Sequence, residues 1–142
     1  MSVTVFFTYS LMAYNIGDTL DTKVSEKLNL KKDTLYVVDF FASWCHACKK
    51  ELPLVAKVHN DKVVQVIGVN VDDDIAKGKN FVSKLKVPFS VIYDTDKSLI
   101  TRFNPAGVPA LYYIKNSKVL GSQIGAIKDI DKKITNDIKG LQ

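Results

Sequence analysis

The sequence predicts an α/β fold, in which a mixed central β-sheet is flanked by α-helices on both faces. Two observations predict this class. Apolar runs typical of buried strands alternate with helical patterns along most of the chain, and a strand pair with a short turn follows near its end. The 142 residues, 46% of them hydrophobic and 25% charged, suit a single domain with its own core.

The first predicted elements form a strand-helix-strand-helix series. Residues 34–41 are a continuous apolar and β-branched run, as expected for a strand that is buried on both faces. Residues 46–59 carry apolar side chains at helical spacing, residues 63–71 form a second buried run, and residues 74–85 again show a helical pattern. This alternation predicts parallel strands joined by crossover helices.

The later elements predict antiparallel pairing. Residues 88–93 form a third strand and residues 97–103 a short helical stretch. Two further strands, residues 110–114 and 118–124, are separated by a turn of three residues, which favours a hairpin. A last amphipathic helix is expected over residues 128–138.

The N-terminal segment has two interpretations. Residues 3–14 are almost wholly apolar and about as long as the core of a signal peptide, but the first basic residue is Lys23. Residues 1–14 are therefore either a signal remnant, which we slightly favour, or an N-terminal strand with Val3, Phe7 and Tyr9 packed inward. Residues 15–142 are expected to form the domain.

Composition and charge exclude several classes of protein. No apolar run reaches the roughly 20 residues of a membrane-spanning helix, which excludes a polytopic membrane protein. The formal net charge is +5, but the basic residues are scattered lysines and Arg102 is the only arginine. Nucleic-acid binding usually needs clustered basic residues, so we expect no nucleic-acid partner.

The chemistry of the chain is expected at Cys45 and Cys48. Cys45 falls where a buried strand gives way to a helix, and the unpaired N–H groups of a first helical turn stabilise a thiolate. Cys48 follows close to one turn later, near enough to attack a mixed disulfide formed at Cys45. Cys45 is thus the predicted entry nucleophile and Cys48 the resolving thiol.

A Cys-x-x-Cys pair alone also looks like half of a zinc site. His46 lies inside the same turn, however, and His59 lies at the far end of the helix, so four ligands cannot converge. We therefore expect no metal and no bound cofactor beyond a Cys45–Cys48 disulfide.

Asp39 interrupts an otherwise apolar strand. A carboxylate in a core should have a partner or be held protonated, and Asp39 beneath the helix would accept and return the proton of Cys48. The alternative is an Asp that caps a helix or lies at a solvent-facing strand end. Lys49 and Lys50 oppose the helix dipole and would favour the Cys45 thiolate, although two merely exposed lysines are an equally good interpretation.

Pro109 begins a predicted strand, where a missing N–H is tolerated. A cis bond is possible at this position. An ordinary trans proline is the commoner case, so the residue alone does not decide between them.

The segment VVDFFASWCHACKKELP, followed about sixty residues later by GVPA, resembles the thioredoxin superfamily. Residues 48–53 most resemble its exported TlpA/ResA/CcmG-like branch, and NIGD at residues 15–18 and YDTD at residues 93–96 add to the likeness. The resemblance implies a thioredoxin-like fold. It also implies a buried acid at Asp39, a Trp44 flanking the nucleophile, a cis Val108–Pro109 peptide lining the substrate groove, and a reactive-site glutamate at Glu51.

Three departures from the family pattern bear on redox behaviour. The dipeptide between the cysteines is His46-Ala47, where thioredoxin-like reductants usually carry proline in second place, and a protonated His46 would make the disulfide a stronger oxidant. Val108 before the proline resembles the oxidase DsbA. Gly68 stands where thioredoxin has a lysine beside the buried acid, so Asp39 is expected to lack that partner.

The resemblance implies a monomeric thiol-disulfide oxidoreductase in the periplasm or another extracytoplasmic site. As a reductant of the cytochrome c maturation type it would act on exported protein disulfides, such as those of apocytochrome c, with electrons from a DsbD/CcdA-type membrane donor. A DsbA-like oxidase is the first alternative, and a cytoplasmic thioredoxin is the second.

Overall fold

The computed structural model describes residues 2–4 and 13–141. In this part of the chain, five strands and five helices follow one another as a single series. In chain order they are α1 Thr22–Leu28, β1 Leu35–Phe41, α2 His46–Asn60, β2 Gln65–Asn70, α3 Ile75–Lys84, β3 Ser90–Tyr93, α4 Ser98–Phe103, β4 Ala110–Lys115, β5 Lys118–Ile124 and α5 Ile130–Lys139.

The sheet is mixed, as predicted. Its strand order is β3-β2-β1-β4-β5, with β1, β2 and β3 parallel and with β4 antiparallel to both β1 and β5. Each strand-helix-strand step of the early chain gives a parallel neighbour, while the short turn after β4 gives the hairpin. β1 is therefore the central strand, and its carboxyl end leads directly into the cysteine segment.

Helices cover both faces of β1, which explains its nearly continuous burial. On one face the Phe40 ring packs against Phe103 of α4 and Tyr112 of β4, at centroid distances of 5.0 and 5.8 Å. On the other face Phe41 packs against Phe81 of α3, and α2 and α5 pack against each other. The predicted layer arrangement is confirmed.

Helix α2 presents its buried face at the expected spacing. The inward side chains are Cys48, Glu51, Leu52, Val55 and Val58, which recur every three or four residues. Each fully buried aliphatic side chain here contributes about 1.5–3 kcal/mol. The face that anchors the helix in the core therefore also carries the second cysteine and a carboxyl group.

Helix α1 was not predicted from the sequence. It is only seven residues long, and its buried side chains, Val24 and Leu28, are a single i, i+4 pair, too short a pattern to stand out. Asn29 ends the helix in the left-handed conformation. An ion pair between Asp21, at the start of α1, and Arg102 of α4 joins the two helices.

Most of the N-terminal segment on which the two interpretations rest, including Phe7 and Tyr9, lies outside the described residues. Val3 is 83% exposed, so it does not pack inward as the strand interpretation expected. Tyr14 is buried: its ring meets Phe103 edge-on at 4.9 Å and its hydroxyl donates a hydrogen bond to Asp21. Across residues 2–4 and 13–141, no helix is both long and apolar enough to span a bilayer.

Candidate redox site

Cys45 and Cys48 form a disulfide at the amino end of α2. β1 ends at Phe41, and Cys45 is the N-cap residue of α2, where its Sγ accepts a hydrogen bond from the backbone N–H of Cys48 at 3.2 Å. Cys45 is 6% exposed and Cys48 only 1%, so Cys45 is the more accessible of the two cysteines. This geometry supports Cys45 as the entry nucleophile and Cys48 as the resolving thiol.

The peptide bond between Val108 and Pro109 is cis. The structure therefore agrees with what the family resemblance implied at this position. The carbonyl oxygen of Val108 lies 3.6 Å from Cys45 Sγ, which places the proline loop directly against the disulfide. The Pro109 carbonyl accepts a hydrogen bond from the backbone N–H of Gly125 at 2.8 Å. The loops after β1, before β4 and after β5 thus meet at one end of the sheet.

An apolar, mostly open rim surrounds the disulfide. Trp44 is 69% exposed, His46 is exposed, and Ala47 and Val108 are half-buried. A large aromatic side chain left in water beside a reactive group is typical of a binding surface. Together with Pro109, these are the five residues predicted for redox tuning and the substrate groove, and they lie next to Cys45 in the chain or in the proline loop that faces it.

Asp39 is buried, at 3% exposure, so the solvent-facing alternative is wrong. Burial raises the pKa of its carboxyl well above the usual value, and the nearby carboxyl of Glu51 raises it further. Within residues 13–141, no ion pair involves Asp39. The carboxyl therefore has a raised affinity for a proton.

Gly68 lies directly opposite Asp39 in the β1–β2 pairing. A Cβ at Gly68 would lie 2.9 Å from the Phe89 ring and 3.0 Å from the Phe41 ring, so these rings occupy the space of a side chain. A lysine cannot enter from this position unless both rings move. The packing thus explains why the buried acid has no cation from β2.

Glu51 lies three residues after Cys48 on the same inward face of α2. Its Oε1 accepts a hydrogen bond of 2.7 Å from the backbone N–H of Ile127, in the loop after β5. Burial raises the pKa of Glu51, and the hydrogen bond from Ile127 partly offsets this. Glu51 therefore both holds a loop of the site and raises the proton affinity of Asp39.

A hydrogen-bond network on the other side of the cysteine loop escaped the sequence analysis. The Asp72 carboxylate accepts hydrogen bonds from the backbone N–H of Ser43 (2.8 Å), from Ser43 Oγ (2.5 Å) and from Asn70 Nδ2 (2.8 Å). Asp72 is 4% exposed and Asn70 only 1%. The sequence signal for this network was the polar pair Asn70 and Asp72 at the carboxyl end of a buried strand. The cysteine loop begins at the same edge of the sheet, because β1 and β2 are parallel.

Three basic residues of α2 that the sequence analysis considered are Lys49, Lys50 and His59. Lys49 and Lys50 are exposed in the first turns of α2. His59 lies in the last turn of α2, where its Nδ1 accepts a hydrogen bond from the backbone N–H of Val66 at 3.1 Å, and burial lowers its pKa. Residues 2–4 and 13–141 contain no cluster of three or more His, Cys, Asp or Glu side chains able to hold a metal ion.

A mixed sheet, a Cys-x-x-Cys disulfide at a helix start and a facing cis-proline define a thioredoxin-fold protein with a redox-active site. Residues 13–122 match the model of the AhpC/TSA family, and the chain belongs to that family. The predicted resemblance to the TlpA/ResA/CcmG-like part of the thioredoxin superfamily agrees with the names of the similar proteins that follow.

Three similar proteins illustrate the relationship. The thiol-disulfide oxidoreductase ResA of Bacillus subtilis is 30% identical over 80 residues, which are 54% of this chain and 45% of ResA. ResA of Bacillus thuringiensis is 28% identical over 110 residues, covering 75% and 63% of the two chains. A crystal structure from Chlorobium tepidum, described as a thiol:disulfide interchange protein DsbE, superposes with a TM-score of 0.74 at 22% identity. That superposition covers 90% of this chain and 98% of the other.

The chain spans between about half and two thirds of the length of these ResA relatives. Residues 13–122, which the family model matches, contain both cysteines and strands β1 to β4.

Proposed function

We propose that this protein is a thiol-disulfide oxidoreductase that exchanges its Cys45–Cys48 disulfide with exported protein substrates, acting as a reductant. One observation carries the proposal: a nearly buried disulfide whose outer sulfur, at a helix N-cap, faces a cis-proline loop. The ResA relatives are thiol-disulfide oxidoreductases by name, which supports the same reaction class.

The reaction has two steps. In the reduced protein the Cys45 thiolate attacks one sulfur of the substrate disulfide, forms a mixed disulfide and releases the first substrate sulfur as a thiolate. Cys48 then attacks Cys45 Sγ as its proton passes to the ionised Asp39 carboxylate, and Asp39 returns that proton to the second substrate sulfur, which leaves as a thiol. Two electrons move from the dithiol to the substrate, and the Cys45–Cys48 disulfide is regenerated.

The helix start and the loops support the first step. The amino end of α2 and the Cys48 N–H favour negative charge on Cys45 Sγ. The Val108 carbonyl and the exposed Trp44 offer a polar and an apolar contact to the approaching chain. No bound cofactor is needed for this chemistry, because both electrons come from the cysteine pair.

The finer proposal follows the TlpA/ResA/CcmG-like likeness. The protein would be located in the periplasm or another extracytoplasmic compartment. Its substrates would include apocytochrome c, and its electrons would come from a DsbD/CcdA-type membrane protein. The protein would act as a monomer. Fractionation of the native host and identification of trapped partners test these statements.

A cysteine trap tests the exchange reaction. Cys48→Ser leaves Cys45 free to attack but removes the resolving thiol, so mixed disulfides with substrates should accumulate in cells and be identified after non-reducing electrophoresis. Cys45→Ser is the matched control and should capture nothing. Equal capture by both variants, or none by either, would contradict the mechanism.

A DsbA-like oxidase is the second candidate, because the exposed His46 beside Cys45 favours the reduced, thiolate form of the pair when protonated. The reduction potential separates the two directions. A potential near or below the roughly −270 mV of thioredoxin supports a reductant, whereas one approaching the roughly −120 mV of DsbA supports an oxidase. Equilibration in defined thiol-disulfide buffers, followed by Trp44 fluorescence and alkylation, measures it.

A further inference from the structure

A basic groove lies beside the redox site. Its volume is about 460 Å³, and it runs between the amino half of α2 and helix α3. We call it the lysine groove and define it by Ser43, Lys49, Lys77, Asn80, Phe81 and Lys84, which line it. Nothing in the two-step exchange mechanism uses α3 or its lysines.

The groove and the disulfide share a loop. Ser43 lines the groove and stands two residues before Cys45. Lys49 stands four residues after Cys45, which is about 6 Å along a helix axis. A chain that occupied the groove would therefore be held within a few residues of the sulfur that is attacked.

The charge of the groove is one-sided. Its three lysines are exposed, and none of the described residues that line it is acidic. The buried carboxylate of Asp72 accepts hydrogen bonds from Ser43 and Asn70. Asp74 is the exposed N-cap residue of α3, where it accepts a hydrogen bond from the backbone N–H of Ala76, and neither α2 nor α3 has an acidic residue in its first turn. Lys49 stands near the positive end of the α2 dipole, an unfavourable position for a cation in the free protein.

We propose that the lysine groove docks an acidic segment of the protein whose disulfide reacts at Cys45. Carboxylates in the groove would meet three ammonium groups and the amino end of α2, while Phe81 offers a half-buried apolar contact and Asn80 a hydrogen-bonding side chain. The inference rests on the proposed function, since it supplies the partner chemistry for that same site.

Matched peptide substrates test the docking. Two synthetic peptides share one internal disulfide and differ only in a flanking run of four residues, all Glu in one and all Gln in the other. The reduced wild-type protein should reduce the Glu peptide with a kcat/KM about tenfold higher at low ionic strength. The preference should shrink steeply at high salt.

Lysine variants locate the effect. Lys77→Gln with Lys84→Gln removes two charges from α3, away from the cysteine loop, and should lower kcat/KM for the Glu peptide about threefold to tenfold while leaving the Gln peptide unchanged. Lys132→Gln with Lys139→Gln removes the same charge from exposed positions on α5 and is the control. Equal losses in the two double variants, or no Glu preference in the wild type, would overturn the proposal.

Equilibrium binding separates this inference from the proposed function. A cysteine-free Glu peptide, labelled for fluorescence anisotropy, should bind the oxidised wild type and bind the Lys77/Lys84 variant several-fold more weakly, whether or not the protein turns over any disulfide. Absence of turnover with intact binding would refute only the exchange function. Absence of binding, or preferential binding to anionic phosphatidylglycerol vesicles instead of the peptide, would overturn the docking of an acidic segment.

Discussion

Asp39 and Glu51 are two buried carboxyl groups that influence each other, and Glu51 shares the buried face of α2 with Cys48. Burial is the main cause of the raised pKa of Asp39, and the charge of Glu51 adds to it. An acid whose pKa approaches that of a thiol exchanges protons with it efficiently, because the proton affinities of the two groups become similar. The raised pKa of Asp39 is therefore suited to the resolving step at Cys48.

Asp39→Asn should slow resolution more than initial attack. The amide keeps the shape of the side chain but cannot take the Cys48 proton, so we expect the mixed disulfide to persist about 10²-fold longer. Rapid mixing with a substrate disulfide, acid quench and mass analysis measure the two steps separately. Equal slowing of both steps would remove the proton-transfer role of Asp39.

The two functions of Glu51 are separable by substitution. Glu51→Gln retains an oxygen that accepts the Ile127 N–H but removes the negative charge, so the pKa of Asp39 should fall while the loop after β5 keeps its place. Glu51→Ala loses both the charge and the hydrogen bond. Amide hydrogen exchange at Ile127 should be protected in the Gln variant and faster in the Ala variant. NMR titration of Asp39 should show the same lowered pKa in both.

At the scale of elements, three loops and one helix start form the site. The loop after β1 is held by Asp72, the proline loop by Gly125, and the loop after β5 by Glu51. These contacts join residues far apart in the chain. They fix the position of Cys45 relative to the Val108 carbonyl.

Helix α3 contacts this arrangement through Gly78. A Cβ at Gly78 would clash with Asn70 Oδ1, and Asn70 Nδ2 in turn donates a hydrogen bond to Asp72, which accepts one from Ser43. Gly78→Ala should therefore displace Asn70 and destabilise the fold by about 1–3 kcal/mol, although alanine by itself favours a helix. Thermal denaturation measures the loss, and the lifetime of the mixed disulfide should also change.

Gly140→Ala is the matched control for that substitution. The nearest atom to its Cβ would be the Asp137 carbonyl oxygen at 3.8 Å, an ordinary contact, and Gly140 has right-handed helical dihedral angles. Little loss of stability is expected there. Similar denaturation curves for the two variants would show that the close approach of Gly78 to Asn70 has no structural consequence.

The sequence predicted the elements that depend on local patterns. The buried run of β1 and the helical spacing of α2 are strong signals, because each repeats over several residues. Helix α1 was missed because its two buried residues are too few to establish a helical periodicity in the sequence. The positions of Cys45, Cys48 and Asp39 followed from residue type and spacing, whereas the network of Ser43, Asp72 and Asn70 depends on tertiary contact between two loops and has no period to detect.

At the scale of the whole molecule, the buried acids link redox chemistry to stability. An acid with a raised native-state pKa binds its proton more tightly in the folded chain than in the unfolded one. Stability is then highest below the unfolded pKa of about 4 and falls as the pH rises through the raised pKa, by up to about 1.4 kcal/mol per pH unit for each group. Asp39 and Glu51 both act in this direction.

Asp39→Asn should therefore stabilise the oxidised protein increasingly as the pH rises. Well below the unfolded pKa of about 4, where Asp39 is protonated in both states, the variant and the wild type should unfold at similar denaturant concentrations, since the amide and the acid have the same shape. Above that pH range the free energy of unfolding of the wild type falls because Asp39 ionises more readily in the unfolded chain, and the variant has no such loss at position 39. The difference in free energy of unfolding between the variant and the wild type should therefore grow until the pH passes the folded-state pKa of Asp39, and then stay constant. Urea unfolding at a series of pH values measures it, with Asp61→Asn as a control that removes an exposed carboxyl group. Parallel stability curves for wild type and Asp39→Asn would show that the folded chain does not raise the pKa of Asp39, and the proton-transfer role built on that shift would have to be abandoned.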